Sequence, residues 1–286
     1  MITTVSTHLF LYYSLIEKPV AESISKAGFR GLELWAMKPH FPYDEEGLVT
    51  KLKKKVEKEK LSVISAHLPM YERIHEDKNL RGMLSPSSED TANRKKWQKE
   101  AINSAIMAKQ LGAIYFTVHT DLDFYSAGAT ELENTKESLK NVVEKFPPDC
   151  FLCVENDIGG IEQINGLLNL IEAIDKHNIG LTLDLGHLLA GAGNIEECIK
   201  TAENKLRVVH AHDNNGAKDD HLPPGNGIME WDKVFETLEE TSFEGPFVWE
   251  IRDPTLGKDE NFVELGKLLK KIKAFENERK KSRKNA

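Results

Sequence analysis

Short apolar runs alternate with longer segments of helical periodicity along the chain. The short runs have the length of buried strands, about four to eight residues. The segments between them repeat apolar positions every three or four residues, as amphipathic helices do. Strands that alternate with helices are typical of repeated β-α units and a parallel sheet. The pattern predicts eight such units.

These units predict an α/β protein with a (β/α)8 TIM barrel in a single domain, residues 1–279. The basic, polar residues 280–286 are predicted to be a disordered tail. The predicted strands cover residues 3–7, 31–36, 62–68, 113–120, 151–157, 180–186, 207–213 and 246–253. The predicted helices cover residues 20–27, 45–59, 93–111, 131–146, 161–177, 195–202, 231–240 and 261–275.

Composition is consistent with one soluble domain. The chain has 286 residues, of which 40% are hydrophobic, and a barrel of this kind commonly uses about 250. The formal charge of −8 gives no general attraction to nucleic acid or to anionic membranes. The sequence shows no signal-peptide layout, and no apolar run approaches the roughly 18 residues of a membrane span. We therefore expect a cytoplasmic protein, and its three cysteines predict no disulfide framework.

One connection is much longer than the others. Residues 69–91 follow the third predicted strand and are rich in Pro, Ser and charged residues. Barrel enzymes build their active sites from the loops at the C-terminal ends of the strands. The sequence therefore predicts a lid or a substrate-binding loop at this position.

Candidate chemistry is most concentrated at the seventh predicted strand. Residues 206–227, LRVVHAHDNNGAKDDHLPPGNG, pass from an apolar run into a loop of Asp, His, Asn, Gly and Pro. Side chains alternate faces along a strand, so His210 and His212 share one face. One histidine on a strand is most often a packed core residue. Two histidines with a D-D-H cluster, all within twelve positions, favour a metal site.

Six predicted strands carry an ionisable residue at or near the C-terminal end, where barrel enzymes place catalytic groups. Buried carboxylates are costly unless they are paired or bound to a cation. Several carboxylates at one barrel mouth therefore require a positive charge, and a divalent metal is its simplest source. The six residues are His67, His119, Glu155, Asp184, His210 and Glu250.

The types of ligand bear on the identity of the metal. Three carboxylates with one imidazole suit Mn²⁺, Mg²⁺ or Co²⁺, whereas additional imidazoles favour Zn²⁺ or Fe²⁺. We expect Mn²⁺ or Zn²⁺ first. The compact ligand set is Glu155, Asp184, His210 and Glu250. Additional ions are predicted to bind at His67, His119, His187, Asp219 and His221.

Single positions also have structural explanations. Glu33 and Glu250 could pair with Arg30 and Arg252, and His119 could cap a helix. The joint occurrence of such residues at successive strand ends favours a functional site instead. Four other histidines lack that context, so we expect them at the surface or in loops: His8, His40, His75 and His177.

Three motifs resemble the xylose isomerase-like TIM-barrel superfamily. They are L-D-L-G-H at residues 183–187, H-A-H-D at residues 210–213 with D-D-H and G-N-G after it, and W-E-I at residues 249–251. The resemblance spans nearly the whole chain. The superfamily contains sugar and sugar-phosphate isomerases and epimerases, and also the type IV apurinic endonucleases. The resemblance implies as shared metal ligands Glu155, Asp184, His210 and Glu250.

The two branches imply different roles for these residues. In the epimerase branch, the equivalents of Glu155 and Glu250 are acid and base on a metal-chelated ketose, and His187 contacts a substrate oxygen. In the endonuclease branch, a trinuclear zinc site is completed by His67, His119, Asp219 and His221. All nine positions carry suitable residues here. The long, charged stretch LPMYERIHEDKNLRGML departs from the endonuclease pattern, which places base-site recognition in doubt.

We therefore predict a divalent-metal-dependent isomerase or epimerase of a small sugar or sugar phosphate, with proton transfer through a metal-stabilised enediolate. Its predicted catalytic residues are Glu155 and Glu250, and its predicted substrate contacts are His187, Glu33 and Arg252. The alternative enzyme is a metal-dependent phosphodiester hydrolase of the type IV apurinic endonuclease kind, and a sugar sensor without turnover is a third alternative. The expected partner is a small carbohydrate rather than nucleic acid or a membrane, and the chain is compatible with a homo-oligomer.

Overall fold

The computed structural model describes residues 1–252 and 262–284. Within these ranges, eight parallel strands close into a barrel that is surrounded by helices. The predicted (β/α)8 fold is confirmed. The ten strands of the described ranges are Ile2–Ser6 (β1), Gly31–Trp35 (β2), Ser62–His67 (β3), Tyr71–Ile74 (β4), Leu80–Met83 (β5), Tyr115–His119 (β6), Phe151–Glu155 (β7), Ile179–Asp184 (β8), Leu206–Ala211 (β9) and Pro246–Trp249 (β10).

The barrel strands follow chain order, and β1 closes the barrel by pairing with β10. Helices lie between consecutive barrel strands, and the short segment Thr7–Phe10 is a 3₁₀ helix. The α-helices of the described ranges are Val20–Lys26 (α1), Glu46–Lys58 (α2), Thr91–Leu111 (α3), Ala129–Val143 (α4), Ile161–Ile174 (α5), Leu185–Ala190 (α6), Ile195–Ala202 (α7), Trp231–Glu240 (α8) and Phe262–Lys284 (α9).

The core lies between the barrel strands and the inner faces of the helices. Every residue of β2 and β8 is buried, which is the pattern expected of parallel strands covered on both faces. In α5, Leu167 and Ile171 lie four positions apart and face this core, because residues at that spacing share one face of a helix. The helix α3 ends at Gly112, whose φ of 116° suits a residue without a Cβ. The apolar positions of the sequence and the glycine after α3 thus lie where the packing and the helix end require them.

The connection 69–91 contains an antiparallel hairpin, β4–β5, where the sequence predicted a lid or loop without strands. Three of the eight residues of β4 and β5 are charged and neither strand alternates apolar and polar residues strictly, so the pattern that identifies a strand was hidden. Ile74 is buried against Trp35 and Met37, with Leu80 packed beside them. The hairpin is thus fixed to the barrel rim by a small apolar cluster of its own.

Several predicted elements end earlier than the sequence indicated, and three of them are strands at the barrel mouth. The strand predicted for 180–186 stops at Asp184, because the Asp184 carboxylate accepts the backbone N–H of His187 at 2.7 Å and caps α6. β9 stops at Ala211, two residues before its predicted end. β10 stops at Trp249; residues 250–252 are not part of a strand, and the predicted end, Asp253, lies outside the described ranges.

The C-terminal prediction also differs from the structure. α9 continues to Lys284, through positions where a disordered tail was predicted. Lys and Arg favour helices, so a charged sequence alone does not end one. Asn261, the first residue of the last predicted helix, and the final two residues of the chain lie outside the described ranges.

The remaining sequence expectations concern cysteines and membranes. Cys150, Cys153 and Cys198 are buried free thiols, in agreement with the predicted absence of a disulfide framework. No helix within residues 1–252 and 262–284 is long and apolar enough to cross a membrane.

Candidate metal centre

The C-terminal ends of the barrel strands bring the six predicted strand-end residues to one mouth. His67, His119, Glu155 and Asp184 are the last residues of β3, β6, β7 and β8. His210 lies within β9, and Glu250 directly follows β10. Parallel strands in a closed barrel all end at the same face, which explains how positions so distant in sequence converge. The six side chains form a buried polar centre.

A carboxylate-rich cluster surrounds His210. The Nδ1 atom of His210 lies 2.6 Å from Glu155 Oε1 and 2.9 Å from Glu250 Oε2. Ligand atoms of Glu155, Asp184, His210 and Glu250 all lie within 4.8 Å of one another. The other ring nitrogen of His210 lies 3.1 Å from Glu33 Oε2. This arrangement directs one imidazole nitrogen and three carboxylates at a common position.

Two histidines contact the second oxygen of Glu155. His67 Nε2 lies 3.2 Å and His119 Nε2 lies 2.9 Å from Glu155 Oε2. The other ring nitrogen of each histidine also has a hydrogen-bond partner. His67 Nδ1 lies 3.0 Å from the carbonyl of Leu68, and His119 Nδ1 lies 2.9 Å from Asp157 Oδ1. Glu155 therefore lies between two groups of ligands. The sequence reasoning missed Asp157.

A third group surrounds Asp219. His187 Nε2 and His221 Nε2 lie 3.4 and 3.1 Å from Asp219 Oδ2, as the predicted set requires. His212 Nε2 lies 3.2 Å from Asp219 Oδ1 and 3.2 Å from Asp184 Oδ1. The sequence reasoning placed His212 on the inner face with His210 but left it out of the ligand set. Strand alternation was the signal that could have included it.

The buried atoms at the centre of these groups fit a cation. Glu155 Oε1, Asp184 Oδ2, His210 Nδ1 and His212 Nε2 are buried and have no hydrogen-bond partner among the described residues. Some lie close to one another, but their angles do not suit hydrogen bonds. Buried polar atoms are normally satisfied, so a cluster of exceptions requires an explanation. Carboxylate oxygens and imidazole nitrogens are the donor set of a divalent transition metal.

Opposite charges keep the buried groups ionised. Burial alone would raise the pKa of Glu155, but His210 and His119 hold it well below its usual range. Burial also opposes protonation of His210, yet Glu155 and Glu33 raise its pKa well above the ordinary value. The pKa of Glu250 is lowered in the same way, against burial and chiefly by His210. The centre stabilises negative carboxylates only where a positive charge faces them.

The three predicted substrate contacts occupy different environments. His187 lines the cavity above the cluster. Glu33 is fully buried and accepts hydrogen bonds from Ser65 Oγ at 2.8 Å and His210, so its carboxylate supports a ligand and does not face the cavity. Arg252 Nη2 donates to the Tyr12 hydroxyl at 2.9 Å on the rim. The geometry favours a positioning role for Glu33 in place of the predicted substrate contact.

The structural pairings considered for these glutamates do not form. Arg30 donates to the carbonyl of Phe29 at 2.8 Å, and Arg252 is directed to Tyr12. Glu33 and Glu250 instead face histidines. Their charges are balanced within the centre.

Two histidines expected at the surface or in loops lie outside the strands but are buried. His8, in the 3₁₀ helix, stacks on Trp35 with ring centroids 4.6 Å apart, and its Nδ1 lies 3.3 Å from Glu250 Oε1. His40, in a turn, contacts the carbonyl of Tyr13 at 2.6 Å and the hydroxyl of Thr7 at 3.0 Å. The sequence did not indicate their burial, because the packing that buries them comes from distant segments.

A cavity of about 440 Å³ opens above the centre. Trp35 and Met70 contribute apolar surface, and the Nε1 donor of Trp35 is buried without a partner among the described residues. Pockets of this size suit small molecules. The lining residues are His8, Trp35, His67, Met70, His119, Asp157, Ile158, His187, Asp219, His221 and Glu250.

The loop that delivers Asp219 and His221 is anchored by a buried carboxylate. Asp213 Oδ1 accepts the N–H groups of Asn214 and Met229 at 3.0 Å each, and Asp213 Oδ2 accepts from Gly225 N at 2.9 Å. Each bond is between a charged acceptor and a backbone donor, which is stronger than a neutral pair. Asp213 thus holds the loop and leaves the metal-type ligands to its neighbours.

Comparison with known proteins agrees with this architecture. A sequence profile of the xylose isomerase-like TIM barrel family matches residues 21–272. The chain belongs to this family. Among curated relatives in it, an uncharacterized protein of Methanocaldococcus jannaschii is 38% identical over 99 residues, or 32% of this chain and 33% of that protein. The inosose isomerase of Halalkalibacterium halodurans is 28% identical over 108 residues, or 36% of each chain. The chain thus matches about a third of the length of these relatives.

Solved structures match over much more of the barrel. A D-tagatose 3-epimerase-like protein is 25% identical, with a TM-score of 0.73 over 98% of this chain and 99% of that chain. The IOLI protein, solved with a bound zinc atom, is 17% identical, with a TM-score of 0.74 over 96% of each chain. The latter likeness concerns the fold. The barrel fold of this chain is therefore shared with an epimerase-like protein and with a zinc-bound protein.

Proposed function

We propose that this protein is a metal-dependent isomerase or epimerase of a small sugar or sugar derivative. The observation that carries the proposal is the convergence of two carboxylates, Glu155 and Glu250, on His210 Nδ1 next to a small-molecule cavity that Glu250 lines. The inosose isomerase and the epimerase-like structure support the same class of reaction.

The two glutamates suit proton transfer at neighbouring carbons. Glu155 and Glu250 each place one oxygen within 3 Å of His210 Nδ1, so the two carboxylates converge on one small space. Neighbouring histidines hold the pKa of both carboxyls well below the usual range, so both are ionised and each can accept a proton, although only as a weak base. An epimerase needs one group to remove a proton and another to return it from the opposite face. The chain supplies a carboxylate for each step.

The compact cluster has the donors to hold a divalent ion, with Glu155, Asp184, His210 and Glu250 as ligands. Such an ion would polarise a substrate carbonyl and so acidify the neighbouring C–H group. Glu33 orients His210 from the opposite side, in the manner of carboxylates that support metal-bound histidines. A carboxylate is a weak base for a carbon acid, so this acidification matters to the mechanism.

The cavity suits a polyhydroxylated substrate. Trp35 offers an apolar face and an unpaired N–H donor, and His8 stacks on that indole ring. Sugars combine apolar ring faces with hydroxyl groups, so an aromatic face with polar neighbours matches them. His187 contributes an imidazole at the same wall.

The hydrolase alternative rests on a separate observation. His67 and His119 share Glu155 with the compact cluster, and His187 and His221 share Asp219. Several ions in one centre are suited to phosphodiester hydrolysis. The β4–β5 hairpin on the barrel rim and the small volume of the cavity, about 440 Å³, favour a small substrate over a duplex.

Deuterium exchange distinguishes the two reactions. With a panel of ketoses in deuterated water, we expect deuterium at the carbon next to the carbonyl. Glu250→Gln keeps one oxygen donor but removes the base, so exchange should fall by at least about a hundredfold while metal content falls much less. Nuclear magnetic resonance of the recovered sugar measures exchange, and elemental analysis measures metal.

A duplex with one apurinic site provides the opposing measurement. The hydrolase alternative requires cleavage of that duplex, and cleavage should depend on His67, His119 and His221. Efficient duplex cleavage without sugar exchange would contradict the proposed isomerase. Sugar binding without exchange would instead favour a sensor.

A further inference from the structure

The cluster around Asp219 contains one more imidazole than the predicted ligand set. The predicted members are His187, Asp219 and His221. His212 places its Nε2 atom 3.2 Å from Asp219 Oδ1 and is fully buried. Its ring stacks on that of His221 with centroids 4.0 Å apart. The result is one carboxylate that faces three imidazole nitrogens.

All three imidazoles direct their Nδ1 atom at a backbone carbonyl and their Nε2 atom toward Asp219. His187 Nδ1 lies 2.7 Å from the carbonyl of Asn156, and His221 Nδ1 lies 2.7 Å from the carbonyl of Glu250. His212 Nδ1 lies 3.4 Å from the carbonyl of Asp213. A carbonyl can only accept, so each Nδ1 carries the proton.

In the neutral tautomer, each Nε2 atom is then an acceptor with its lone pair directed at the Asp219 side. Without an ion, nearby carboxylates raise the pKa of His187 and His221, so protons can occupy these positions, and a bound cation would take their place. Backbone carbonyls that fix the outer nitrogen are a recurring feature of metal-bound histidines.

The backbone makes room for the His212 ring. A Cβ atom on Gly186 would lie 1.9 Å from His212 Cε1 and 2.3 Å from His212 Nε2. The glycine of the L-D-L-G-H motif therefore sits where the ring must pass. His212 Nε2 has no hydrogen-bond partner among the described residues, although it is buried. The ring is held in place with its acceptor unsatisfied.

We propose that His212 is a metal ligand in a zinc-type site with Asp219 and His221, whose ligand atoms all lie within 4.8 Å of one another. His187 Nε2, 3.4 Å from Asp219 Oδ2, supplies the fourth donor once an ion draws the four groups together, so three imidazoles and one carboxylate would fill a tetrahedral shell. A closed shell leaves no position for an activated water, so an ion here would stabilise the loop and not generate a nucleophile. Chemistry would then stay at the carboxylate-rich cluster, which agrees with the proposed isomerase. The inference rests on the metal dependence of that function but not on its substrate.

His212→Asn is the decisive variant. The asparagine amide can replace Nδ1 as a donor to the Asp213 carbonyl but has no atom at the position of Nε2. Gly186→Ala is a second test, because it displaces the His212 ring and removes no donor atom. His177→Asn, at an exposed histidine, is the matched control.

The measurement is the zinc content per chain after loading with Zn²⁺ and dialysis, with circular dichroism as a check on folding. We expect His212→Asn and Gly186→Ala to bind one zinc equivalent less than the wild-type protein and the control. Cobalt substitution adds a spectroscopic readout, since the strong visible absorption of tetrahedral Co²⁺ should disappear in both variants.

Equal zinc content and equal cobalt spectra in the wild-type protein and folded His212→Asn would overturn the inference. That result leaves the proposed isomerase intact, since the carboxylate-rich cluster would still bind its ion. If the wild-type protein bound no divalent metal at all, the inference and the metal-dependent function would both be wrong.

Discussion

Both ring nitrogens of His210 face carboxylates, Nδ1 toward Glu155 and Glu250 and Nε2 toward Glu33. An imidazole has two nitrogens with different roles, and the partner of one fixes the state of the other. The Nε2 proton points to Glu33, so Nδ1 is the atom available to a metal. A residue that touches no substrate thus controls how the central histidine acts.

Glu33→Gln should therefore weaken metal binding by about 10- to 100-fold, because it removes the charge that orients and polarises His210. Competition with a coloured chelator measures the dissociation constant. Ser65→Ala, which removes only the other hydrogen bond to Glu33, is the control and should have a smaller effect. An unchanged metal affinity with a raised KM would restore the substrate contact predicted from the sequence.

His40 predicts a pH dependence of stability at a site away from the metal ligands. Burial lowers its pKa to about 4, against the carbonyl of Tyr13, with the hydroxyl of Thr7 on the second nitrogen and the His8 ring nearby. The unfolded chain takes up this proton near pH 6.5, whereas the folded chain takes it up near pH 4. The unfolded state therefore binds more protons between these values, and stability falls as the pH falls.

We expect the wild-type protein to lose about 3 kcal/mol of unfolding free energy over that interval relative to His40→Gln. Urea unfolding at a series of pH values, with chelator present so that metal does not contribute, measures the difference. Parallel curves for the two proteins would contradict the assignment.

At the scale of elements, the β4–β5 hairpin is the part of the barrel rim with its own small core. Ile74 contacts Trp35 and Met37 there, and Trp35 also lines the cavity. A hairpin of two short strands is marginal alone, so its order depends on this contact. Trp35 therefore belongs both to the cavity wall and to the apolar cluster that holds the hairpin.

Ile74→Asp should release the hairpin while the barrel stays folded, because it buries a charge without a partner. Trypsin cleavage near Arg81 should accelerate by at least about tenfold, since cleavage follows the population of the opened segment. Met83→Asp, at an exposed position of the same hairpin, should cleave at the wild-type rate. Equal rates for both variants would show that the apolar cluster does not hold the hairpin.

The sequence predicted the order and type of the barrel elements because parallel strands and amphipathic helices have distinct periodicities. It missed the hairpin, because β4 and β5 carry charged residues on positions that a strand pattern needs to be apolar. It also gave no sign that His8 and His40, expected at the surface or in loops, are buried. Their burial depends on contacts between distant segments, and local periodicity contains no information on such contacts.

At the scale of the whole molecule, the polar centre joins six strand ends and a loop within the barrel mouth. Carboxylates and imidazoles neutralise one another there, and a bound ion would stabilise the folded chain but not the unfolded chain. Stability should therefore depend on metal concentration. At a free metal concentration about 1,000 times the dissociation constant, the gain is about 4 kcal/mol.

Chelation should accordingly lower the Tm of the wild-type protein by about 10 °C. Differential scanning calorimetry with and without added Mn²⁺ or Zn²⁺ measures this shift. Asp184→Ala removes a ligand of the compact cluster and should lose most of the response to Mn²⁺, while the part of the Zn²⁺ response that comes from the proposed Asp219 site remains. A metal response in Asp184→Ala equal to that of the wild-type protein would show that the stabilising ion binds elsewhere.

The convergence of the strand ends could be predicted from the sequence, since every parallel strand of a barrel ends at the same face. The roles of individual residues could not. Glu33 and Glu250 occupy equivalent places in the sequence pattern, yet one is enclosed behind His210 and the other faces the cavity. Depth along the strand axis and side-chain direction separate them, and both depend on register between neighbouring strands.

Glu155 gives one carboxylate oxygen to His210 and the other to His67 and His119. The two oxygens belong to one planar, rigid group, so any rotation that improves contact on one side changes contact on the other. The two halves of the centre are therefore mechanically coupled through a single torsion angle. Occupancy of one half preorganises the other, while the shared charge limits how strongly both can be filled. Metal binding in one half of the centre should consequently change the metal affinity of the other half, so the two binding events should not be independent.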